Sequence, residues 1–430
     1  MTARRSGWLL LILAVALAVR LAVVAATAHQ TPQYDAGDYD RHGASIAAGH
    51  GYPATVIAEP GGASALRPPT YPYLLAAVYA LAGHHVTAGR VLGALLGVLA
   101  VLLLYLVARA VWDERVALLA AALAAVFPPL VMLNASLVSE SLFVPLELGV
   151  ILAVLRFRGR GGSLLWAVLV GVLCGLAALT REVALVLVVP AVIGVWTSRP
   201  ALSWRALRAP ALVVLATAVV IAPWTIRNVS RFHRFVPIAT QDGLLLAGSY
   251  NRVTAADRTY RAGWRPPESL PQFARLFHRP GIDEARLNDE LSSSARTYAA
   301  HHPFVVPEVV WWSLRRVFVL GGRITPTGAS YREMGIPDSL RRTVTASAYV
   351  AFVLALAGVI VVVAGLCPRG PLFLWLVPVL MLVGVVLVLG TPRYRAPLDP
   401  FIVVLAALGV VTLAARRRGA PAGRPRAVRA

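Results

Sequence analysis

The 430-residue chain is 58% apolar and 14% charged, with a mean hydropathy of +0.70, whereas a soluble domain is about half apolar and a quarter charged. Its formal charge of +21 rests on 41 basic residues, every one of them arginine, so a P-loop lysine and Schiff-base catalysis are excluded. Two cysteines, Cys174 and Cys367, build neither a disulfide framework nor a metal knot, and no basic stripe with interleaved aromatics marks a nucleic-acid-binding module.

Ten apolar runs approach the length of about 20 residues that crosses hydrocarbon: 8–28, 91–108, 116–133, 137–155, 163–179, 183–196, 210–225, 345–366, 371–389 and 397–415. The first follows Arg4 and Arg5 like a signal peptide, but the many later spans make cleavage unnecessary, and it reads as the first transmembrane helix. Short arginine-bearing loops mark the cytoplasmic side. These are Arg4 and Arg5, 109–115, 156–160, 199–208, Arg369 and the tail from Arg416, and all six fall on one side if the ten runs are the only spans. The expected organisation is therefore an N-terminal transmembrane catalytic module (1–226) with a first outer loop (29–85), an extracytoplasmic subdomain (227–343), C-terminal transmembrane helices (344–416) and a basic cytoplasmic tail (417–430).

Segment 71–83, YPYLLAAVYALAG, is apolar but too short to span. Were it to cross, every later basic loop would flip outward, so it is expected as an interfacial helix. Segment 303–320, PFVVPEVVWWSLRRVFVL, is expected to form another. Within the spans Glu147 is the main charge, a functional candidate by default whose bland alternative is to cap or bridge helices near the interface. The chain shows no internal repeat and no inverted pair of broken helices, which argues against a secondary transporter.

The first outer loop carries YDAGDYDRHGASIAAGHGY, with Asp35, Asp38 and Asp40 just beyond the first span. Carboxylates there can act as a general base or hold a divalent cation, and Asp38 shares a helical face with Arg41. The adjacent pairs His84–His85 and His301–His302 point in different directions along a helix, which suits solvated interface residues better than metal ligation.

Further motifs follow in order: LRPPTYPYLLAAVYALAG, SLVSESLF, GLAALTREV, APWTIRN, FVPIATQDGLLLAGSYN and PRYRAPLDP. In order and spacing, over nearly the whole chain, they resemble the bacterial membrane glycosyltransferases of the family-39 type, related to protein O-mannosyltransferases and the aminoarabinose transferase of lipid A. The resemblance implies an all-α polytopic GT-C fold with about ten transmembrane helices and outer-face juxtamembrane helices. It further implies a lipid-linked sugar donor on a polyprenyl phosphate and transfer at the outer membrane face to a lipid, glycan or protein acceptor. Some relatives use a divalent cation and others do not. In this family an acid of the first outer loop sits at the reacting centre, and Asp38 matches it. Arg41 matches a basic residue after that acid, Arg67 a usually basic position associated with the donor phosphate, and Glu140 an acid of the second outer loop that is often aspartate in relatives.

Chemistry supports the same assignment. Inverting transfer needs a base for the acceptor and cations for the departing phosphate, and a guanidinium suits the second task by binding phosphate bidentately while staying charged. Arg181, Arg227, Arg393 and Arg395 all fall at outer ends of spans. For each the alternative is an interfacial anchor or a salt-bridge partner, as Arg181 to Glu182. The competing class is a membrane transporter or flippase of lipid-linked sugars, whose charges would line a midplane path instead of gathering at one outer face.

Overall fold

The computed structural model describes residues 3–197, 200–320, 331, 334 and 336–418. Arg199 and the tail 419–430, both part of the expected cytoplasmic surface, lie outside the described residues. In chain order the helices begin with α1 (Ala3–Ala26), two short helices α2 (Asp35–Ala47) and α3 (Thr70–Ala82), and α4 (Val86–Val111). Next come α5 (Glu114–Val126), α6 (Pro128–Asn134), α7 (Glu140–Gly159), α8 (Leu164–Ala178), a 3-10 turn (Glu182–Leu187) running into α9 (Val188–Val195), and α10 (Trp204–Phe232). A group of short helices follows: α11 (Asp242–Ser249), α12 (Arg252–Ala256), α13 (Ala274–Phe277), α14 (Glu284–His301) and α15 (Val305–Val317). The chain closes with α16 (Arg341–Val363), α17 (Leu372–Val386), a 3-10 turn (Arg393–Arg395) and α18 (Asp399–Arg417).

Among the described residues, five helices are long and apolar enough to cross a membrane: α1, α4, α10, α16 and α18. Their middle stretches present apolar side chains outward. On α16, Val350, Val353, Leu356, Ile360 and Val363 are all more than half exposed, a pattern that water would penalise and lipid accepts. Other expected spans are shorter as helices, namely α8, α17 and the unit Glu182–Val195. The helices meet closely where small residues allow it. Gly171 and Gly175 of α8 face α10, where a Cβ on either would come within 2.5–2.7 Å of α10 atoms, and Thr217 donates to the Gly171 carbonyl at 3.0 Å.

The run 116–133, expected as one span, is instead two helices, α5 and α6, bent by 58°. The cause lies in its prolines: Pro128 and Pro129 carry no N–H for the carbonyls of Ala124 and Ala125 one turn earlier. Arg20 of α1 supplies the missing donors, reaching Ala125 O at 2.8 Å and Ala124 O at 3.3 Å, and Asn134 Oδ1 at 3.0 Å. This guanidinium is 1% exposed. Sequence reading passed over it in favour of Glu147, although the Pro-Pro pair inside an apolar run signals a break. Glu147 is fully buried on α7, and neither of its carboxylate oxygens has a hydrogen-bond partner, so it neither caps nor bridges helices.

Helices α11 to α15 form a lobe with its own core of Ala247, Tyr250, Leu287, Leu291 and Val309, against which Ile57 and Ala58 of the first loop pack. Segment 303–320 contains α15, and 71–83 coincides with α3, as their composition led one to expect. Helix α3 lies along α2: Tyr39 and Tyr71 meet edge to face at 5.1 Å, and the missing side chain of Gly43 leaves room for Leu75 and Tyr79.

Candidate active site

Charged residues converge where α2, the segment before α3, the start of α7, the end of α8 and the turn Arg393–Arg395 meet. Helix α2 begins at Asp35 immediately after Tyr34, whose φ of 52° is unusual for a residue with a side chain. One helical turn separates Asp35 from Asp38 and another separates Asp38 from Arg41 and His42, so all four crowd one side. Arg41 reaches Asp38 Oδ1 at 2.8 Å, and His42 Nδ1 lies 3.4 Å from the same oxygen.

Arg67 bridges the two aspartates, with Nε 2.7 Å from Asp38 Oδ2 and Nη2 2.5 Å from Asp35 Oδ1. Arg393 takes the other oxygen of Asp35 at 2.7 Å and grips Glu140 as a fork, at 2.7 and 2.9 Å. Arg181 completes the chain at 2.7 Å from Glu140 Oε1, so its partner is Glu140 and not the neighbouring Glu182. Tyr394 lies between two of these cations, its ring 4.9 Å from the Arg181 guanidinium and 5.4 Å from that of Arg393. The network thus joins four guanidinium groups to three carboxylates, one positive charge in excess. It grades from closed to open: the Glu140 side chain is 0% exposed and that of Arg41 37%.

Burial by itself would raise the Asp38 carboxyl, but the His42 contact and then the Arg67 charge outweigh it and hold the group well below the usual carboxylate range. Asp35 is likewise held far below that range, burial being overcome by the charges of Arg67 and Arg393. Both are anions at every physiological pH.

Two expected members stand apart. Arg395, one residue beyond Tyr394, points away from the network and pairs with Asp399 at 2.7 Å while donating to Val317 O at 3.1 Å. It therefore does not converge with Arg67 and Arg393. Arg227 stacks on Trp224 and Tyr52, 4.6 and 5.3 Å from the ring centres, and donates to Ser64 O at 2.7 Å. It touches the site only indirectly, since the Tyr52 hydroxyl donates to the Arg67 carbonyl. Asp40 is engaged elsewhere, with Tyr79 at 2.7 Å and His84 at 3.1 Å. His301 and His302 each donate from Nδ1 to a carbonyl one turn earlier, Thr297 O and Tyr298 O. Sequence reading underrated Asp35, which holds the two arginines together. The available signal was its position one turn before Asp38.

Among the described residues no group of three or more His, Cys, Asp or Glu is arranged to hold a metal ion. The carboxylates at the site are already matched to guanidinium groups, a donor set that does not suit a divalent cation.

Comparison with known proteins fits this picture. Residues 66–226 match the family model of dolichyl-phosphate-mannose-protein mannosyltransferase. A search of the curated proteins finds no match. Among solved structures, the archaeal oligosaccharyltransferase AglB from Archaeoglobus fulgidus, in complex with an inhibitory peptide and a dolichol-phosphate, aligns with a TM-score of 0.55 and 16% identity over 97% of this chain and 52% of its own. The Archaeoglobus fulgidus oligosaccharyltransferase tethered with an acceptor peptide containing the NVT sequon aligns at 0.54 and 15%, over 95% and 50%. ArnT from Cupriavidus metallidurans bound to undecaprenyl phosphate gives 0.45 and 18%, over 96% and 79%. The chain spans about half the length of the oligosaccharyltransferases it matches. It shares the GT-C fold of these structures, with several helices long and apolar enough to cross a membrane. The family-model match over 66–226 lies within the stretch whose motifs resemble the protein mannosyltransferases.

Proposed function

We propose that this protein transfers a sugar from a polyprenyl-phosphate donor to an acceptor lipid, glycan or protein at the outer face of the membrane, with inversion at the anomeric carbon. The observation that carries this reading is the network of four guanidinium groups and three carboxylates, a cation in excess at one end of the helix bundle. Supporting it, the AglB structure of like fold holds a dolichol-phosphate. In the reaction Asp38 takes the proton of the acceptor hydroxyl or amine, the freed lone pair attacks the anomeric carbon, and the carbon–oxygen bond to phosphate breaks. The polyprenyl phosphate leaves with that bonding pair, and Arg67 and Arg393 stabilise the added charge. Glu140 and Arg181 hold Arg393 in place. No step runs through a metal ion. A second reading makes Asp35 the base, favoured by its position between Arg67 and Arg393.

Right-side-out membrane vesicles from a deletion strain, carrying the protein and a labelled polyprenyl-phosphate sugar, test function and face together. Envelope lipids, glycans and proteins analysed by mass spectrometry are expected to gain one hexose, pentose or aminosugar. A donor that changes leaflet without any mass gain would instead establish the flippase reading.

Arg395 provides a contrast. Asp399→Leu strands a buried guanidinium and is expected to cost about 3–5 kcal/mol, read as a lowered Tm, whereas Asp399→Leu with Arg395→Met restores an apolar fit. The double variant should regain most of the stability and keep transfer within a few-fold of wild type. Loss of transfer in a fully stable double variant would return Arg395 to the phosphate site.

A further inference from the structure

We infer that the lobe of α11 to α15 positions the two phosphate-binding arginines by gripping the backbone segments that carry them, an inference that rests on the reading of Arg67 and Arg393 above. Between the end of α17 at Val386 and the turn at Arg393 the chain has no regular structure, so its polar backbone must find partners elsewhere. The lobe supplies them. The Tyr250 hydroxyl donates to Leu387 O and the Ser249 hydroxyl to Val388 O. Arg316 Nε donates to Gly390 O at 3.2 Å, and Ser313 Oγ accepts the Gly390 N–H at 3.3 Å. The approach is so close that a Cβ on Gly390 would lie 2.3 Å from the Ser313 carbonyl oxygen. Arg316 is itself 3% exposed and fixed by Arg261 O and Ala262 O, at 2.9 and 2.8 Å.

The same lobe grips the other arginine's segment. Glu284, the first residue of α14 and fully buried, accepts the Ala65 N–H at 2.9 Å through Oε2. That oxygen also accepts from the Thr240 hydroxyl at 2.8 Å, while the Thr240 N–H reaches Ala65 O at 3.1 Å. Arg67 follows two residues later. Both arginines end on Asp35, so the rigid core of the lobe between these two attachment points fixes how far apart their guanidinium groups stand. Ser249, Tyr250, Arg316 and Glu284 are positioning residues: none touches the reacting groups.

The test compares losses in different backgrounds, in the full-length protein reconstituted in vesicles. Ser249→Ala with Tyr250→Phe is expected to lower kcat about five- to twentyfold with little change in Tm. In an Arg393→Lys background the same pair should cost less than twofold further, because a misplaced residue 393 has nothing more to lose. Glu284→Gln should couple in the same way to Arg67→Lys, and the two arms should multiply when combined. If the paired variant does not fold, Tyr250→Phe alone removes one hydroxyl and serves in its place. Equal losses in every background, or losses that track Tm, would reduce the lobe to a structural element and overturn the inference. Wild-type activity of the two lysine variants by themselves would remove the reading of the arginines, and this inference with it.

Discussion

Asp38→Asn is expected to cut turnover by about two to four orders of magnitude, the usual contribution of a positioned base, while expression and donor binding stay near normal. Asp40→Asn should cost far less, since Asp40 is tied to Tyr79 and His84 outside the network. Asp35→Asn has a different signature: it releases both Arg67 and Arg393, so the donor KM should rise more than kcat falls. Near-normal turnover in Asp38→Asn together with abolished turnover in Asp35→Asn would move the base to Asp35. The pH profile adds a second readout. A carboxyl held far below its usual range by His42 and Arg67 is ionised in the resting enzyme but weakly basic, and activity is lost only as pH falls through its folded pKa. When the donor phosphate draws Arg67 to itself, the hold on Asp38 slackens and its pKa rises. The acid limb of kcat, which reports the bound complex, should therefore lie at higher pH than that of kcat/KM, which reports the free enzyme. Coincident limbs would show that Arg67 does not change partners.

Arg67→Lys and Arg393→Lys form the second large effect. Each substitution keeps the charge and removes the fork, and each should lower kcat/KM by about tenfold to a hundredfold, a loss of the kind seen when one stabilising donor is removed from a reacting centre. Arg393→Lys should be the more severe, because a single ammonium cannot hold both oxygens of Glu140 and still reach Asp35. Arg41→Lys, at the open edge of the network, should cost least. The measurement is steady-state transfer with a defined polyprenyl-phosphate sugar. Wild-type donor affinity in both lysine variants would remove the basis for the phosphate site.

Much of this was legible in the sequence because lipid imposes a coarse code. Apolar runs gave the long helices, and the spacing of Asp38 and Arg41 gave their contact on α2. Composition also marked α3 and α15 as short helices too polar or too brief to be ordinary spans. What remained hidden depends on contacts far apart in sequence. Arg393 and Arg395 stand two residues apart in the same motif, yet one joins Asp35 and Glu140 and the other Asp399. In a 3-10 turn, residues two apart project about 240° apart, and only the packed neighbours decide which side is the site. Asp35 looked like one acid among three, since its importance comes from residue 393, 358 positions away. The break at Phe127 left a trace in Pro128 and Pro129, but its partner Arg20 did not, because a buried arginine looks in sequence like any basic residue near the end of a span.

That partnership bears on how the chain is made and on how it can be rebuilt. Arg20 leaves the ribosome about a hundred residues before the carbonyls of Ala124 and Ala125 that it will satisfy. Until then its charge is unmatched at membrane depth, which is costly. The first helix should thus linger near the insertion machinery, or in its watery interior, until α5 and α6 arrive. It follows that α1 is not an exchangeable anchor. A fusion that swaps it for an unrelated hydrophobic leader would still deliver the chain to the membrane, but it would leave a proline break with two open carbonyls, and the expected product is a full-length protein that inserts and is then degraded.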